Sequence, residues 1–218
     1  MTGNLPIDGS AAKKIKVSAS CFMGLAHVIY LKNYIKGLLF ALVEFIFIAF
    51  IPTIVLKLIN LVTLGDPQPN IPIKQRDNSM FMLIDGVLVL AIIAIFVVAY
   101  ILSVKSAQKD YKEYCRKKAF SVQKENLKKT LGSAFPIAGL APGFILILVF
   151  VVVPLVFSVC VAFTNYSSPH HLPPNNTVDW VGMDNFKALL TGDTSWSQGF
   201  SRVAIWTLIW AIAATVTC

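Results

Sequence analysis

Charge is scarce in this 218-residue sequence: 14% of residues are charged and 56% are hydrophobic. A water-soluble globular domain carries about a quarter charged residues and just under half apolar ones. The composition therefore excludes an ordinary soluble domain and points to helices inserted in lipid. Acidic side chains are the rarer sign, eleven Asp and Glu against nineteen Lys and Arg, for a net charge of +8. Such an excess suits nucleic acid or an anionic lipid surface, and the placement of the charges decides between them. Four cysteines, Cys21, Cys115, Cys160 and Cys218, have no short spacing. The absence of any CxxC pair removes zinc-ribbon and thioredoxin-type chemistry. No cysteine falls in 56–79 or 164–200, the segments that the basic residues place outside, so no disulfide framework is implied. There is no P-loop, nucleophile elbow or HExxH, and no internal repeat or low-complexity tract. The expectation is a protein that is not an enzyme, has no catalytic residues, and needs neither cofactor nor metal.

What is present is long apolar runs. A helix needs about 20 residues to cross the roughly 30 Å hydrocarbon layer. Three stretches meet that length: "GLLFALVEFIFIAFIPTIV" (37–55), "MFMLIDGVLVLAIIAIFVVAYILSV" (80–104) and "IAGLAPGFILILVFVVVPLVFSVCVAF" (137–163). A fourth begins near Val203 and is still apolar at Cys218. The expected fold is an all-α integral membrane protein with three complete transmembrane helices and a truncated fourth, cut in mid-helix. No cleaved signal peptide is expected, because the first apolar run starts only after Lys36 and no small-x-small site follows it.

Basic residues set the orientation. Five lie in 1–36 and nine in 105–136, against three in 56–79 and only Lys187 in 164–200. The positive-inside tendency then places the N-terminus and 105–136 in the cytoplasm. It places the loops 56–79 and 164–200 outside. The net charge reads as topology plus attraction to anionic membrane lipids, with no nucleic acid partner needed. Ahead of the first span, "CFMGLAHVIYLKNYIK" (21–36) sets Phe22, Leu25, Val28, Ile29, Lys32 and Lys36 at helical spacing, which predicts a short interfacial helix.

Candidate functional residues are few. Glu44 and Asp85 are the only ionisable side chains inside the spans, and an intramembrane carboxylate suggests a proton relay by default. Each lies near a helix end, so reaching the interface or pairing with a neighbouring helix is the structural alternative. Pro154 in "FVVVPLVFS" predicts a helix kink, with Pro142 and Gly143 loosening the start of the same helix. His170 and His171 are adjacent, with no Cys, Asp or Glu near them, which speaks against a metal site. "NYS" (165–167) and "NNT" (175–177) match a glycosylation sequon that arises readily by chance. The loop from 164 is rich in Pro and Asn, as turns are. Asp184 is a candidate N-cap for a short helix in "GMDNFKALL", with "TGD" to end it. Trp180 and Trp196 suit the headgroup level.

The order "MGLAHVIYLKNYIKGLLF", "DNSMFMLIDGV", a basic linker, "PGFILILVFVVVPLVFSVCVAFTNY" and "VDWVGMDNF" resembles the maltose/maltodextrin permease subunit of Gram-positive bacterial ABC importers, from about residue 22 onward. The most specific part is "AFTNYSSPHHLPPNNTVDWVGMDNF". The resemblance implies a multi-pass subunit of the bacterial plasma membrane. It would pair with a second permease subunit, sit on two ATPase subunits, and receive sugar from an extracellular sugar-binding lipoprotein. It divides the chain into a cytoplasmic N-terminus with an interfacial helix (1–36) and two extra N-terminal helices (37–104) with their outer loop (56–79). A basic linker (105–136) and the start of the permease core (137–218) follow. The core start comprises a helix (137–163), an outer loop (164–200) and a partial helix (201–218). The outer loop would meet the binding protein, with Trp180 and Phe186 as docking anchors. The family's Glu-Ala-Ala coupling loop is absent from this sequence, and no substrate-binding residue carries over. Two other readings stay open: a self-contained four-span scaffold or adhesion protein, and a proton-coupled secondary carrier resting on Glu44 and Asp85.

Overall fold

The computed structural model describes residues 9–117, 132, 139–191 and 195–217. Among them the architecture is helical throughout: α1 (Gly9–Cys21), α2 (Leu25–Ile29), α3 (Tyr34–Thr63), α4 (Ser79–Lys117), α5 (Gly139–Ala162), α6 (Asp184–Leu190) and α7 (Ser195–Thr217). Extended pairing is limited to two isolated bridges, Thr164 with Trp180 and Ser167 with His171. Four helices, α3, α4, α5 and α7, are long and apolar enough to cross a membrane. The chain packs as two units, Met1–Ile59 with Asp85–Pro154, and Asn60–Ile84 with Leu155–Cys218.

In the first unit α3 and α4 form an antiparallel hairpin. Lys57 pairs with Asp85, the Phe47 and Phe96 rings stack at 3.7 Å, and Lys36 pairs with Asp110 at 3.0 Å. Both helices outrun the apolar segments that announce them. α3 has 30 residues and α4 has 39, about 45 Å and about 58 Å at 1.5 Å per residue. Lys57, expected in a loop, is thus a helical residue. The first thirteen residues of the expected linker, 105–117, continue α4, and the rest of it, apart from residue 132, lies outside the described residues.

α4 extends because α1 gives its distal part a partner. Ala11, Ile15 and Ala19 recur every four residues on α1, the spacing of one helix face. They bury against Ala107, Tyr111 and Tyr114 of α4, with Ala26 of α2 and Leu31 completing the cluster. The Tyr100 hydroxyl donates to the Ser20 carbonyl at 2.6 Å.

The interfacial helix expected over 21–36 is broken twice. Gly24 adopts φ +85, and a Cβ there would lie 2.1 Å from the Gly37 carbonyl oxygen. Only glycine permits both that conformation and so close a backbone crossing. Lys32, at φ 51, then separates α2 from α3. Of the residues expected to share one face, Ile29 and Lys32 are exposed and none is buried; Met23, Ala26 and His27, outside that set, are buried instead.

α5 carries a π-helical turn, Leu148–Val152, directly before Val153 and Pro154. The proline ring clashes with a regular helix at the carbonyl four residues back and offers no N–H. A widened turn is one way to accommodate both defects. In the second unit α4 begins on a cap, with Asn78 Oδ1 accepting from the Met80 and Phe81 amides at 3.1 and 3.3 Å. α3 stops where Leu64 (φ 55) and Gly65 (φ 82) turn left-handed. Asp184 is not an N-cap: Met183 holds that position, and Asp184 is the first helical residue, paired with Lys187 at 3.0 Å. Its charge still complements the helix dipole from within the first turn. Gly192 and Asp193, the expected helix stop, and the Trp196 side chain lie outside the described residues. α7 starts at Ser195 and not near Val203, because the polar residues before Val203 join the helix. Its 23 residues reach about 34 Å, so the fourth helix is long enough to span where a truncated one was expected.

Candidate functional site

Residues 161–191 of the second unit form an ordered platform. Its hinge is Thr164, nearly fully buried, whose Oγ1 donates to the Val161 carbonyl at 2.8 Å. Asn165 and Asp179 close a loop between them: the Asn165 amide donates to the Asp179 carbonyl, and the Asp179 amide donates to Asn165 Oδ1. The Val181 and Gly182 amides both donate to Phe163 O. Asn185 of α6 donates its side-chain amide to the Ala162 and Thr164 carbonyls at 2.9 and 2.7 Å, which satisfies carbonyls freed at the end of α5.

One hydroxyl ties the platform to the ends of both α3 and α4. Ser79, fully buried, donates to the Leu64 carbonyl at 2.6 Å and accepts from the Val178 amide at 3.0 Å. Gln68 and Asp77 pair beneath it through two hydrogen bonds. A buried backbone N–H left without a partner costs about 1–3 kcal/mol, so this serine fixes where Val178, and with it Trp180, must lie.

Of the two aromatic residues singled out here, Trp180 donates its indole N–H to the Leu61 carbonyl at 3.1 Å while the residue stays 39% exposed. Phe186 is half-buried, tilted against Phe163 with centroids 5.2 Å apart. Each has a contact of its own, and both belong to the platform. His170 and His171 sit in the turn region of the same loop, where the His171 amide donates to Ser167 O at 2.8 Å and His170 O accepts from Asn176. No group of three metal-ligating side chains exists among the described residues.

Glu44 and Asp85, the two carboxylates within the apolar runs, differ in role. Glu44 accepts the Met23 N–H at the break between α1 and α2, where a helix start leaves donors unsatisfied. Asp85 pairs with Lys57. Each joins its own helix to another element, and they are not brought together.

A polar cluster in the first unit has almost no signature in the sequence. His27 is fully buried, and its Nε2 lies 3.2 Å from Ser106 Oγ and 3.7 Å from an Asp110 oxygen. Lys36 Nζ reaches both Asp110 oxygens, at 3.0 and 3.1 Å. His27 Nδ1 and Ser103 Oγ are buried without partners among the described residues. Burial holds the imidazole at a pKa of about 4, against an ordinary 6.5. Asp110 pulls that value up and Lys36 pushes it down, both less strongly than desolvation. The one available signal is Asp110 itself, one of two acids in the basic run "VKSAQKDYKEYCRKK".

No protein-family model matches this chain, and neither does any solved structure. Among curated proteins, the maltodextrin transport system permease protein MalC of Streptococcus pneumoniae is 34% identical over 191 residues, 86% of this chain and 42% of that protein. The galactooligosaccharides transport system permease protein GanP of Bacillus subtilis is 28% identical over 204 residues, 93% of this chain and 47% of that protein. The maltodextrin transport system permease protein MdxF of Bacillus subtilis is 32% identical over 187 residues, covering 83% and 40%. The chain thus spans less than half the length of these relatives. With four helices long and apolar enough to cross a membrane and these relatives over most of its sequence, the chain is an integral membrane protein homologous to the sugar permeases of Gram-positive ABC transport systems.

Proposed function

We propose that this chain forms part of the translocation pathway of an ABC importer for maltodextrin-type oligosaccharides. The observation that carries the reading is its match, over most of its own length, to permease proteins named for maltodextrin and for galactooligosaccharides. Because the names differ, the cargo is assigned as an oligosaccharide and not as one sugar. In this reading the chain is non-catalytic. It works with a second permease subunit and two ATPase subunits that hydrolyse ATP, and an extracellular binding lipoprotein delivers the sugar. Residues 1–36 and 105–136 face the cytoplasm, 56–79 and 164–200 face outward, and 137–218 begins the permease core. The fourteen-to-four distribution of basic residues supports that orientation. The α3 and α5 spans and α7 expose apolar side chains along their length, surfaces suited to lipid or partner helices.

The platform is the proposed docking face for the binding protein. Its backbone is cross-linked by hydrogen bonds on both sides, so docking would cost little ordering entropy, and Trp180 offers a partly exposed ring held by its indole N–H. Removing the permease gene should abolish oligosaccharide uptake, and restoring it should recover uptake; undiminished uptake in the deletion strain overturns the transport assignment. In the assembled transporter, Trp180→Ala should weaken binding-protein docking several-fold with membrane insertion intact. Unchanged docking would leave Trp180 a packing role only.

A further inference from the structure

Lys36–Asp110 and Lys57–Asp85 mark two levels on the α3–α4 hairpin. The 21 steps along α3 from Lys36 to Lys57 rise about 31 Å, the thickness of the hydrocarbon layer. The first pair therefore stands at one boundary of that layer, where phospholipid headgroups begin. Beside it, in the same packed unit, α1 and α4 leave a groove of about 370 Å³ whose lining includes Lys13, Lys16, Gln108, Tyr111 and Lys112.

We propose that this groove binds the phosphate headgroup of an anionic phospholipid. Lys13 and Lys16 stand one turn apart on α1, and Gln108 and Lys112 one turn apart on α4, so two helices converge on one opening. The three lysines are exposed and have no ion-pair partner among the described residues. The two acids of this part of α4, Asp110 and Glu113, are not among the lining residues, and Asp110 is engaged by Lys36 and His27. This leaves cations and a neutral amide as the polar groups of the groove's charged rim. Its floor is rigid, since Ile15 and Tyr111 are part of the buried α1–α4 contact. Three ammonium groups carried on this packed floor at headgroup depth match a phosphodiester flanked by acyl chains that run down the apolar hairpin. A soluble anion would gain nothing from that depth. The inference rests on α3 and α4 crossing the bilayer, and not on what the protein transports.

The test is retention of lipid by the full chain reconstituted in phosphatidylcholine mixed with phosphatidylglycerol, read by native mass spectrometry after release into detergent. Phosphatidylglycerol should be retained in preference to phosphatidylcholine. A headgroup-facing lysine supplies roughly fivefold in affinity, so K13Q/K16Q/K112Q should cut that preference by about tenfold or more. K14Q/K105Q/K109Q removes the same charge from exposed positions outside the groove lining and should keep the preference. Equal loss in both triple variants would overturn the site in favour of diffuse attraction. Absence of any preference in the unaltered chain would overturn it as well. Displacement of the lipid by inorganic phosphate would reassign the groove to a free anion; retention in its presence supports the lipid. Circular dichroism of each variant separates loss of lipid from loss of helix.

Discussion

The α1–α2 bundle, closed on the distal part of α4, is held by a buried contact of alanine, isoleucine, leucine and tyrosine side chains and by a partly buried cluster of ionisable groups around the buried His27. The 161–191 platform is held mainly by backbone groups and neutral side chains, Ser79 through one hydroxyl; its charged contacts, Asn165 to the Asp179 carboxylate and Lys187 to Asp184, are exposed. Charge interactions weaken with pH and salt, whereas neutral hydrogen bonds are indifferent to both. The two regions should therefore respond to different insults. The bundle should loosen when its ionisation or its tight crossing is disturbed, and the platform only when a particular bond is deleted. Both can be read separately, because the half-buried Cys115 packs against the bundle core and Trp180 lies in the platform.

The largest effect should come from Gly24→Ala. It forces a Cβ into the Gly37 carbonyl at a left-handed backbone position, and strain and overpacking together cost about 4 kcal/mol. Labelling of Cys115 by a maleimide, in a Cys21→Ser/Cys160→Ser/Cys218→Ser background, should rise by orders of magnitude while Trp180 emission, read with Trp196, Trp206 and Trp210 replaced by Phe, stays unchanged. An unchanged labelling rate would mean the crossing does not hold the bundle.

Acidification comes next. His27 is neutral when folded, with its pKa lowered from 6.5 to about 4, so the unfolded bundle binds the extra proton between those values. Stability is full above pH 6.5, falls as pH drops below it, and levels off near pH 4. Lowering the pH from about 7 to about 5 should remove about 2 kcal/mol, seen as faster Cys115 labelling relative to a fully exposed cysteine at the same pH, a ratio that cancels the fall in thiolate fraction. His27→Gln should flatten the dependence. The platform should show no transition in that window. If it moves in step with the bundle, the contrast between the two regions fails.

Ser79→Ala should cost the platform about 1.5 kcal/mol, since it strands the buried Val178 amide and the Leu64 carbonyl. Faster hydrogen exchange at Val178, with Cys115 labelling unaltered, is the expected signature. The smallest effect belongs to Trp180→Phe, which deletes one indole bond at a partly exposed residue and should cost about 0.7 kcal/mol. A change as large as that of Ser79→Ala would show that the ring itself packs the platform.

The spans were legible because an apolar run of that length has nowhere to be buried but in lipid, and the platform's turn-rich character followed from its prolines and asparagines. The helix ends were not legible. Residues 105–117 are polar and read as a linker, yet they stay helical because Ala107, Tyr111 and Tyr114 find Ala11, Ile15 and Ala19 nearly a hundred residues earlier. Glu44 and Asp85 were visible as anomalies, but their partners, a backbone N–H and a lysine read as a loop residue, depend on the tertiary fold. His27 carried no pattern at all. A single histidine in "GLAHVIY" acquires meaning only when Lys36, Ser106 and Asp110 close around it.

The spacing of the two ion pairs on α3 also makes the hairpin a length standard. In a bilayer thicker than the interval between them, both pairs would sink toward hydrocarbon, where partly desolvated charges are costly, and the hairpin would stand upright to lift them out. In a thinner one it would lean, at a fraction of a kcal/mol per ångström of mismatch. Because α4 runs unbroken from Ser79 to Lys117, that lean would be carried to the α1–α2 bundle, so its tilt would follow the acyl-chain length of the surrounding lipid.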